Sequence, residues 1–269
     1  MGANMRIILL AGSKQSGKTT TATAIYGYHL VQSGAIPNAN IDENGRMSII
    51  FNKEGNEGIY FDIDNKDPDF LDYKNNYTAP FVNHIGFADE LKRVAAAQFG
   101  LDHSKLIGTN EEKDELCHIK WRDIAKLLPV NKKKEYKESI DGDKLMTNRQ
   151  FLEVLGTDIF RTIYSDCHIQ SAYKKLTELN PDIGIIPDCR FANEFEFFEK
   201  ITAHKVTKIK LLRNPFKSTT ESENSLASID DSRFDLVVPE DLSMQDKNTM
   251  VINYLVSNDI LSSVNIKAE

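Results

Sequence analysis

The segment MRIILLAGSKQSGKTT, from Met5 to Thr20, carries the strongest structural signal in this chain. An apolar run from Ile7 to Ala11 is typical of a strand buried in a parallel sheet. The run ends at Gly12, which begins the spacing Gly-x-x-x-x-Gly-Lys-Thr, a Walker A phosphate-binding loop. In this motif backbone N–H groups surround a polyphosphate, and the N-terminus of the next helix faces the same negative charge. The stretch therefore predicts a strand, a phosphate loop and a helix in that order.

Two side chains of the motif have direct roles in phosphate binding. Lys18 is expected to reach the outer phosphates, and the Thr19 hydroxyl can hold Mg²⁺, which is the expected cofactor. The motif is common to kinases, motors, GTPases and transporters. The rest of the chain must therefore distinguish between these classes.

The composition excludes several kinds of partner. The 269 residues, 41% of them hydrophobic, can bury the core of one large domain. With 33 Lys and Arg against 40 Asp and Glu, the net charge of −7 argues against broad binding to nucleic acid or anionic membranes. No apolar run is long enough to span a bilayer, and MGANMR lacks a signal-peptide core. The three cysteines fit reduced thiols, so we expect a cytoplasmic protein.

Strand and helix signals alternate along the chain. A helix is expected after the phosphate loop and should end at Gly34. Short β-prone runs between turn signals then predict a small β-hairpin insertion at about residues 38–76. A strand is predicted from Val82 to Ile85, followed by a helix from Asp89 to Phe99 with Asp89 as its N-cap.

The second half of the chain continues this pattern. A mostly helical region is expected at about residues 100–178, where Thr147 or Asn148 can cap a helix that Gly156-Thr157 interrupts. A strand should then end at the turn Pro187–Arg190, and another at Arg213. A last strand, FDLVVPED, precedes the closing helix SMQDKNTMVINYLVSN.

These alternating elements predict an α/β fold with a parallel central sheet and helices on both faces. Right-handed crossovers place the carboxyl ends of the strands at one edge. Gly12, Lys92, Asp188 and Arg213 are expected to gather there. The predicted fold class is therefore a three-layer α/β/α domain with a parallel central sheet, spanning residues 1–269, with the hairpin as an insertion.

Basic side chains are the main candidates for chemistry beyond the loop. Phosphoryl transfer depends on positioning and on stabilising charge with Lys, Arg and Mg²⁺. An acceptor that carries a phosphate needs its own cationic clamp, which suits the planar fork of Arg. Arg149 and Arg190 are the first choices, although either could instead form a surface salt bridge. The wider set of candidates is Lys18, Lys92, Arg149, Arg161, Arg190 and Arg213.

Acidic residues near the predicted strand end are the second group of candidates. Asp188 follows the run IGIIP as a short, imperfect Walker B acid; the alternative is a turn-forming Asp. Glu194 could pair with Arg190 at i, i+4, with either a functional or a structural role.

At these residues the chain resembles the phage deoxynucleoside monophosphate kinases, a branch of the P-loop nucleotide kinases. The combination of LGTD, an upstream Arg and D-x-R-x-x-x-E is more specific than the phosphate loop alone. The matching segments recur in the family's order across most of the chain: GSKQSGKTT, FADELK (87–92), LIGTNEEKDELCHIKW, NRQFLEVLGTDIFR (148–161), IIPDCRFANE (185–194) and the strand ending LLRNP.

The resemblance implies transfer of the γ-phosphate of ATP to a deoxynucleoside 5′-monophosphate (dNMP), giving the diphosphate (dNDP) and ADP with Mg²⁺. It implies catalytic roles for Lys18, Asp188 and Arg190. The ATP-binding residues would be Gly12, Lys14, Gly17, Lys18, Thr19 and Thr20. The helical region would bind the acceptor, and the dNMP-binding residues would be Lys92, Lys113, Arg149, Gly156, Thr157, Asp188, Arg190 and Glu194.

The resemblance also bears on partners and alternatives. It implies ATP and a dNMP as ligands and allows a homodimer, in the cytoplasm of an infected host cell if the chain is phage-encoded. One departure is His168-Ile169, where relatives often carry Trp. The alternatives are another P-loop small-molecule kinase, such as one acting on dephospho-coenzyme A, and a nucleotide-dependent switch or DNA-processing ATPase.

Overall fold

The computed structural model describes residues 5–42, 44–50, 58–63, 74–214 and 221–262. The chain forms two compact units, residues 1–86 with 174–269 and residues 87–173. The second unit overlaps the helical region that the sequence predicts. None of the helices in the described part is long and apolar enough to cross a membrane.

The described residues form ten strands and a larger number of helices. The strands are β1 (Arg6–Gly12), β2 (Asn38–Ile41), β3 (Met47–Ile50), β4 (Gly58–Phe61), β5 (Val82–His84), β6 (Leu116–Lys120), β7 (Leu145–Thr147), β8 (Ile183–Cys189), β9 (Lys205–Leu211) and β10 (Leu236–Val238). The α-helices are α1 (Lys18–Gln32), α2 (Asp89–Phe99), α3 (His103–Ile107), α4 (Asn110–Asp114), α5 (Trp121–Ile124), α6 (Val130–Glu135), α7 (Lys137–Asp141), α8 (Asn148–Glu153), α9 (Arg161–Ile163), α10 (Cys167–Leu179), α11 (Ala192–Glu199), α12 (Glu221–Ala227) and α13 (Met244–Ser257).

The first unit is built on a five-stranded sheet. Its order is β10-β9-β1-β8-β5, and every neighbouring pair is parallel. Residues Ile7 to Ala11 of the central strand β1 are completely buried, as expected for a strand covered on both faces. These observations confirm the predicted α/β class with a parallel central sheet, and they are consistent with a three-layer α/β/α arrangement.

Strand β8 differs from the sequence prediction near its end. The predicted turn Pro187–Arg190 is wrong, because the strand continues through Pro187 and Asp188 to Cys189. Leu9 pairs with Ile186 and Ala11 with Cys189, so β8 carries one extra residue there. Proline lacks a backbone N–H and is accepted in sheets at such bulges. Cys189 therefore lies beside Ala11 where the two strands end.

The β1–α1 unit agrees with the sequence prediction. Helix α1 ends at Gln32, and Gly34 adopts a φ of 72° two residues later. The buried face of α1, including Ile25 and Tyr26, belongs to one hydrophobic core with the sheet and with Val251 of α13.

The insertion after α1 is larger than a simple hairpin. Strands β2, β3 and β4 form an antiparallel three-stranded sheet. Its buried residues Met47, Ile49 and Phe61 join the core of the first unit. The connecting residues 51–57 and 64–73 lie outside the described residues.

The second unit is mainly helical around its own core, which includes Leu91, Trp121 and Phe151. The antiparallel pair β6–β7 was not anticipated. Thr147 is the N-cap of α8, as one of the two predictions required, and it exchanges hydrogen bonds with Gln150. The prediction that Asp89 caps α2 is wrong, because Ala88 occupies the N-cap and Asp89 is the first helical residue.

The LGTD segment takes an unexpected path within this unit. The predicted interruption at Gly156-Thr157 is a wide π-helical turn, Val154–Phe160, that joins α8 directly to α9. Such turns are rare in proteins overall, and those that occur are often found at functional sites.

Candidate functional site

The loop between β1 and α1 is held in a conformation that requires glycine. Gly17 has a φ of 95°, and a Cβ there would collide with the Nζ of Lys247. A Cβ on Gly12 would lie 2.9 Å from the backbone oxygen of Leu211 on β9, which cannot move away easily. Both glycines of the predicted motif are therefore required by backbone geometry and close packing.

The N-terminus of α1 is arranged to face a negative charge. Gly17 is its N-cap, no side chain caps the helix, and the first turn contains no acidic residue. The positive end of the helix dipole is thus left without a carboxylate from its own sequence. This is the local arrangement that binds phosphate groups in other proteins.

Lys18 is folded back onto the loop. Its Nζ donates to the backbone oxygen of Gly12 at 2.7 Å and to that of Ser13 at 2.6 Å. These neutral carbonyls hold the Lys18 ammonium at the first residues of the loop. A phosphate oxygen would offer a stronger, charge-assisted acceptor.

The end of β8 brings further candidates to the same edge. Burial raises the pKa of the Cys189 thiol well above its ordinary value, and the charges of Glu194 and Asp188 raise it further, whereas Lys18 lowers it. Three predicted site residues therefore act electrostatically on one buried thiol. The first unit thus brings Lys18 close to the D-x-R-x-x-x-E segment.

Glu194 organises the start of α11. Its side chain is 1% exposed, and its Oε2 accepts hydrogen bonds from the backbone N–H groups of Arg190 at 2.6 Å and Phe191 at 3.0 Å. The predicted connection between Glu194 and Arg190 therefore includes the backbone of Arg190. Glu194 fixes the turn that carries Arg190, which is a positioning role.

Lys247 is a residue of this region that the sequence reasoning missed. Its Nζ donates to the Gly17 backbone oxygen at 3.2 Å and to the Thr20 hydroxyl at 3.1 Å, although 230 positions separate Lys247 from Gly17. The signal was its spacing of four from Val251 and of eight from Leu255, which places Lys247 in the buried stripe of α13.

Oxygen donors suited to Mg²⁺ are present in the first unit. Thr19 is exposed at the start of α1, and Asp188 is half-buried at the end of β8. Mg²⁺ binds through few protein oxygens and completes its coordination with phosphate and water. These residues fit that ion, although the described residues contain no cluster of three His, Cys, Asp or Glu that could hold a metal alone.

The predicted acceptor residues of the second unit are held by local contacts. Arg149 of α8 donates to Asp114 at 2.6 Å and to Asn110 at 3.0 Å, both on α4, which also carries Lys113. The Nζ of Lys92 lies 3.5 Å from Asp89 within α2.

Gly156 and Thr157 lie in the π-helical turn of the same unit. A Cβ on Gly156 would lie 2.7 Å from Leu91 Cδ2, so glycine permits close packing there. The Gly156 carbonyl also contacts His168 Nε2 at 3.2 Å, and burial lowers the pKa of this histidine. His168 therefore contacts the backbone of this turn.

Arg161 and Arg213, two further basic candidates, differ in their surroundings. Arg161 donates to the Ser165 carbonyl at 3.5 Å in the second unit. Arg213 is exposed two residues beyond β9, and its backbone oxygen accepts a 2.8 Å hydrogen bond from Ser13 of the β1–α1 loop. The loop is thus tied to the segment that carries Arg213.

Comparison with known proteins assigns no family to the chain. It matches no family model, and no curated protein matches it. Its function is therefore inferred from its motifs and from the geometry described above.

Proposed function

We propose that this protein is a P-loop kinase that transfers the γ-phosphate of ATP to a deoxynucleoside 5′-monophosphate. The observation that carries the proposal is the glycine-built loop from Gly12 to Thr19 at the uncapped N-terminus of α1, with Lys18 and Asp188 both near enough to Cys189 to shift the pKa of its thiol. A loop alone would support any nucleotide-binding function. The D-x-R-x-x-x-E segment beside it favours phosphoryl transfer to a second ligand.

The loop supplies the donor half of the proposed site. The N-terminus of α1 and the loop backbone bind the phosphates of ATP, and Lys18 exchanges its two carbonyl contacts for phosphate oxygens. Lys14 and Thr20 flank the same phosphates. Mg²⁺ held through Thr19 neutralises charge on the transferred phosphate when it is bound.

The reaction requires little covalent chemistry from the protein. An oxygen of the acceptor phosphate forms a bond to the γ-phosphorus, and the bond from that phosphorus to the bridging oxygen breaks as ADP leaves. Arg190 stabilises the charge that spreads over the transferred group. Asp188 orients the acceptor, and Glu194 holds the turn on which Arg190 lies.

The second unit is proposed to bind the monophosphate. Arg149 has the planar fork that suits a phosphate, and its contact with Asp114 keeps that fork in one orientation. Lys92, Lys113 and the turn at Gly156-Thr157 are assigned to the same ligand because they match the family's motifs.

A panel assay of ADP release tests this proposal. The protein is given ATP and Mg²⁺ with each dNMP, with dephospho-coenzyme A, or with DNA. We expect ADP release that depends on at least one dNMP, with the corresponding dNDP as product. Release only with dephospho-coenzyme A, or only with DNA and no acceptor, would replace the proposal by one of the two alternatives. Silence with every dNMP would contradict it.

A further inference from the structure

Besides Lys18, a buried lysine from helix α13 contacts the β1–α1 loop. Lys247 is only 5% exposed, and its Nζ contacts Gly17 and Thr20. A lysine carries three N–H donors, and these contacts use neutral acceptors. Burying an ammonium against neutral groups is costly compared with burying an apolar side chain.

A second cation lies close enough to increase that cost. Burial, and secondarily the positive charge of Arg213, together lower the pKa of Lys247 from 10.5 to about 8. Within the part of the chain that the structure describes, no carboxylate contributes an opposing effect on Lys247. Like charges held together in this way are stabilised when an anion joins them.

Attachment of α13 to α1 does not by itself explain the lysine. Thr21 on α1 already donates from its hydroxyl to Asn248 at 3.2 Å, the residue next to Lys247. Val251 and Leu255 bury the same face of α13 in the core. An apolar side chain at position 247 would continue that face without an electrostatic cost.

We propose that Lys247 and Arg213 form an additional phosphate-binding subsite at the β1–α1 loop, which takes a phosphate group of the bound nucleotide together with Lys18. The Ser13–Arg213 hydrogen bond keeps the Arg213 segment beside the loop. The subsite rests on the proposed function only in identifying the anion as nucleotide phosphate. It would make α13 part of the donor site.

Binding of inorganic tripolyphosphate, measured by titration calorimetry, tests the subsite without requiring catalysis. The variants are Lys247→Met and Arg213→Met. Lys205→Met is the matched control, because Lys205 is exposed and donates to Asn258 at the other end of α13. We expect an affinity loss of about tenfold or more for Lys247→Met, a severalfold loss for Arg213→Met and no loss for the control.

Thermal unfolding without ligand separates binding from stability. Arg213 is exposed and its charge repels that of Lys247, so Arg213→Met should not lower the melting temperature while it weakens binding. This variant decides the question if Lys247→Met does not fold. An Arg213→Met variant that binds tripolyphosphate as tightly as the wild type would overturn the subsite. So would a folded Lys247→Met variant whose melting temperature changes but whose tripolyphosphate affinity does not.

The two proposals fail in different ways. Tripolyphosphate binding that depends on Lys247 and Arg213, without transfer to any dNMP, would leave the subsite standing and contradict the proposed function. Transfer to a dNMP with unchanged tripolyphosphate binding in both variants would leave the function standing and contradict the subsite.

Discussion

Arg149 and Asp114 form a close ion pair in the second unit, with Nε and Oδ1 2.6 Å apart. The pair joins α8 to α4, and Asn110 accepts a second hydrogen bond from the same guanidinium. The Arg149 side chain remains 29% exposed, so the contact does not bury it. The contact is the salt bridge that the sequence left as an alternative, and the proposed role of Arg149 in binding the acceptor phosphate is tested by kinetics.

Replacing Arg149 should affect one substrate more than the other. We expect Arg149→Ala to raise the KM for the monophosphate by about tenfold or more, because a charge-assisted contact is lost, and to change the KM for ATP little. Arg93→Ala, which removes an exposed arginine paired with Glu90, is the control and should change neither. Equal effects of Arg149→Ala on both substrates would contradict the assignment.

Removal of the Glu194 carboxylate should destabilise the fold. Glu194→Ala leaves two backbone N–H groups at the start of α11 without their buried acceptor, so we expect a loss of about 2–4 kcal/mol in the free energy of unfolding. Glu194→Gln should lose less, because its amide oxygen can still accept. Urea denaturation measures both, with the exposed Glu196→Ala as control. Similar unfolding curves for Glu194→Ala and Glu196→Ala would show that the carboxylate does not hold this turn.

The stability of the protein should depend on pH through Lys247. Burial, and secondarily Arg213, lowers the pKa of Lys247 from 10.5 to about 8, so the folded state binds this proton less tightly than the unfolded state. The cost of the buried charge is fully present below about pH 8 and is relieved as the pH rises toward 10.5. The two groups that contact it at the start of α1, the Gly17 carbonyl and the Thr20 hydroxyl, do not titrate in this pH range.

Comparison with Lys247→Met isolates this effect from other groups that titrate at alkaline pH. Between about pH 8 and 10.5 the wild type should gain up to about 3 kcal/mol in the free energy of unfolding relative to the variant. Chemical denaturation at several pH values measures the difference. Parallel stability curves for the two proteins would mean that Lys247 does not carry a buried charge.

A side chain at Gly156 should destabilise the fold because Leu91 lies next to it. The Cβ of Gly156→Ala would press on Leu91 Cδ2, and we expect a loss of about 1–3 kcal/mol. In a Leu91→Ala background the same change should cost less, since the space is open. Unfolding of the four proteins of this double-mutant cycle measures the coupling. Additive losses would rule out the contact as the cause.

Local patterns predicted much of the fold because the responsible interactions are close in sequence. The apolar run before Gly12 predicted β1, and the spacing after it predicted α1. Thr147 predicted the start of α8, because a capping side chain acts on its own first turn. The residues of the β1–α1 loop were likewise recognisable from a motif whose glycines the backbone requires.

Features that depend on distant partners were not predictable in the same way. The bulge at Pro187 depends on the register of β8 against β1, and the strand β6 depends on β7, which lies about 25 residues later in the sequence. Lys247 shows how far local patterns could predict the residues of the candidate site. Its spacing from Val251 indicated burial, but only the packing of α13 against α1 shows that it contacts Gly17.

The most direct test of the central claim compares the wild type with Lys18→Ala in dNMP-dependent phosphoryl transfer. Lys174→Ala, which alters an exposed lysine paired with Glu178, is the matched control. With ATP, Mg²⁺ and a dNMP, we predict equal amounts of ADP and dNDP from the wild type and the control, and loss of both products in Lys18→Ala. Undiminished dNDP formation by folded Lys18→Ala, or no dNDP from the wild type with any dNMP, would contradict the account.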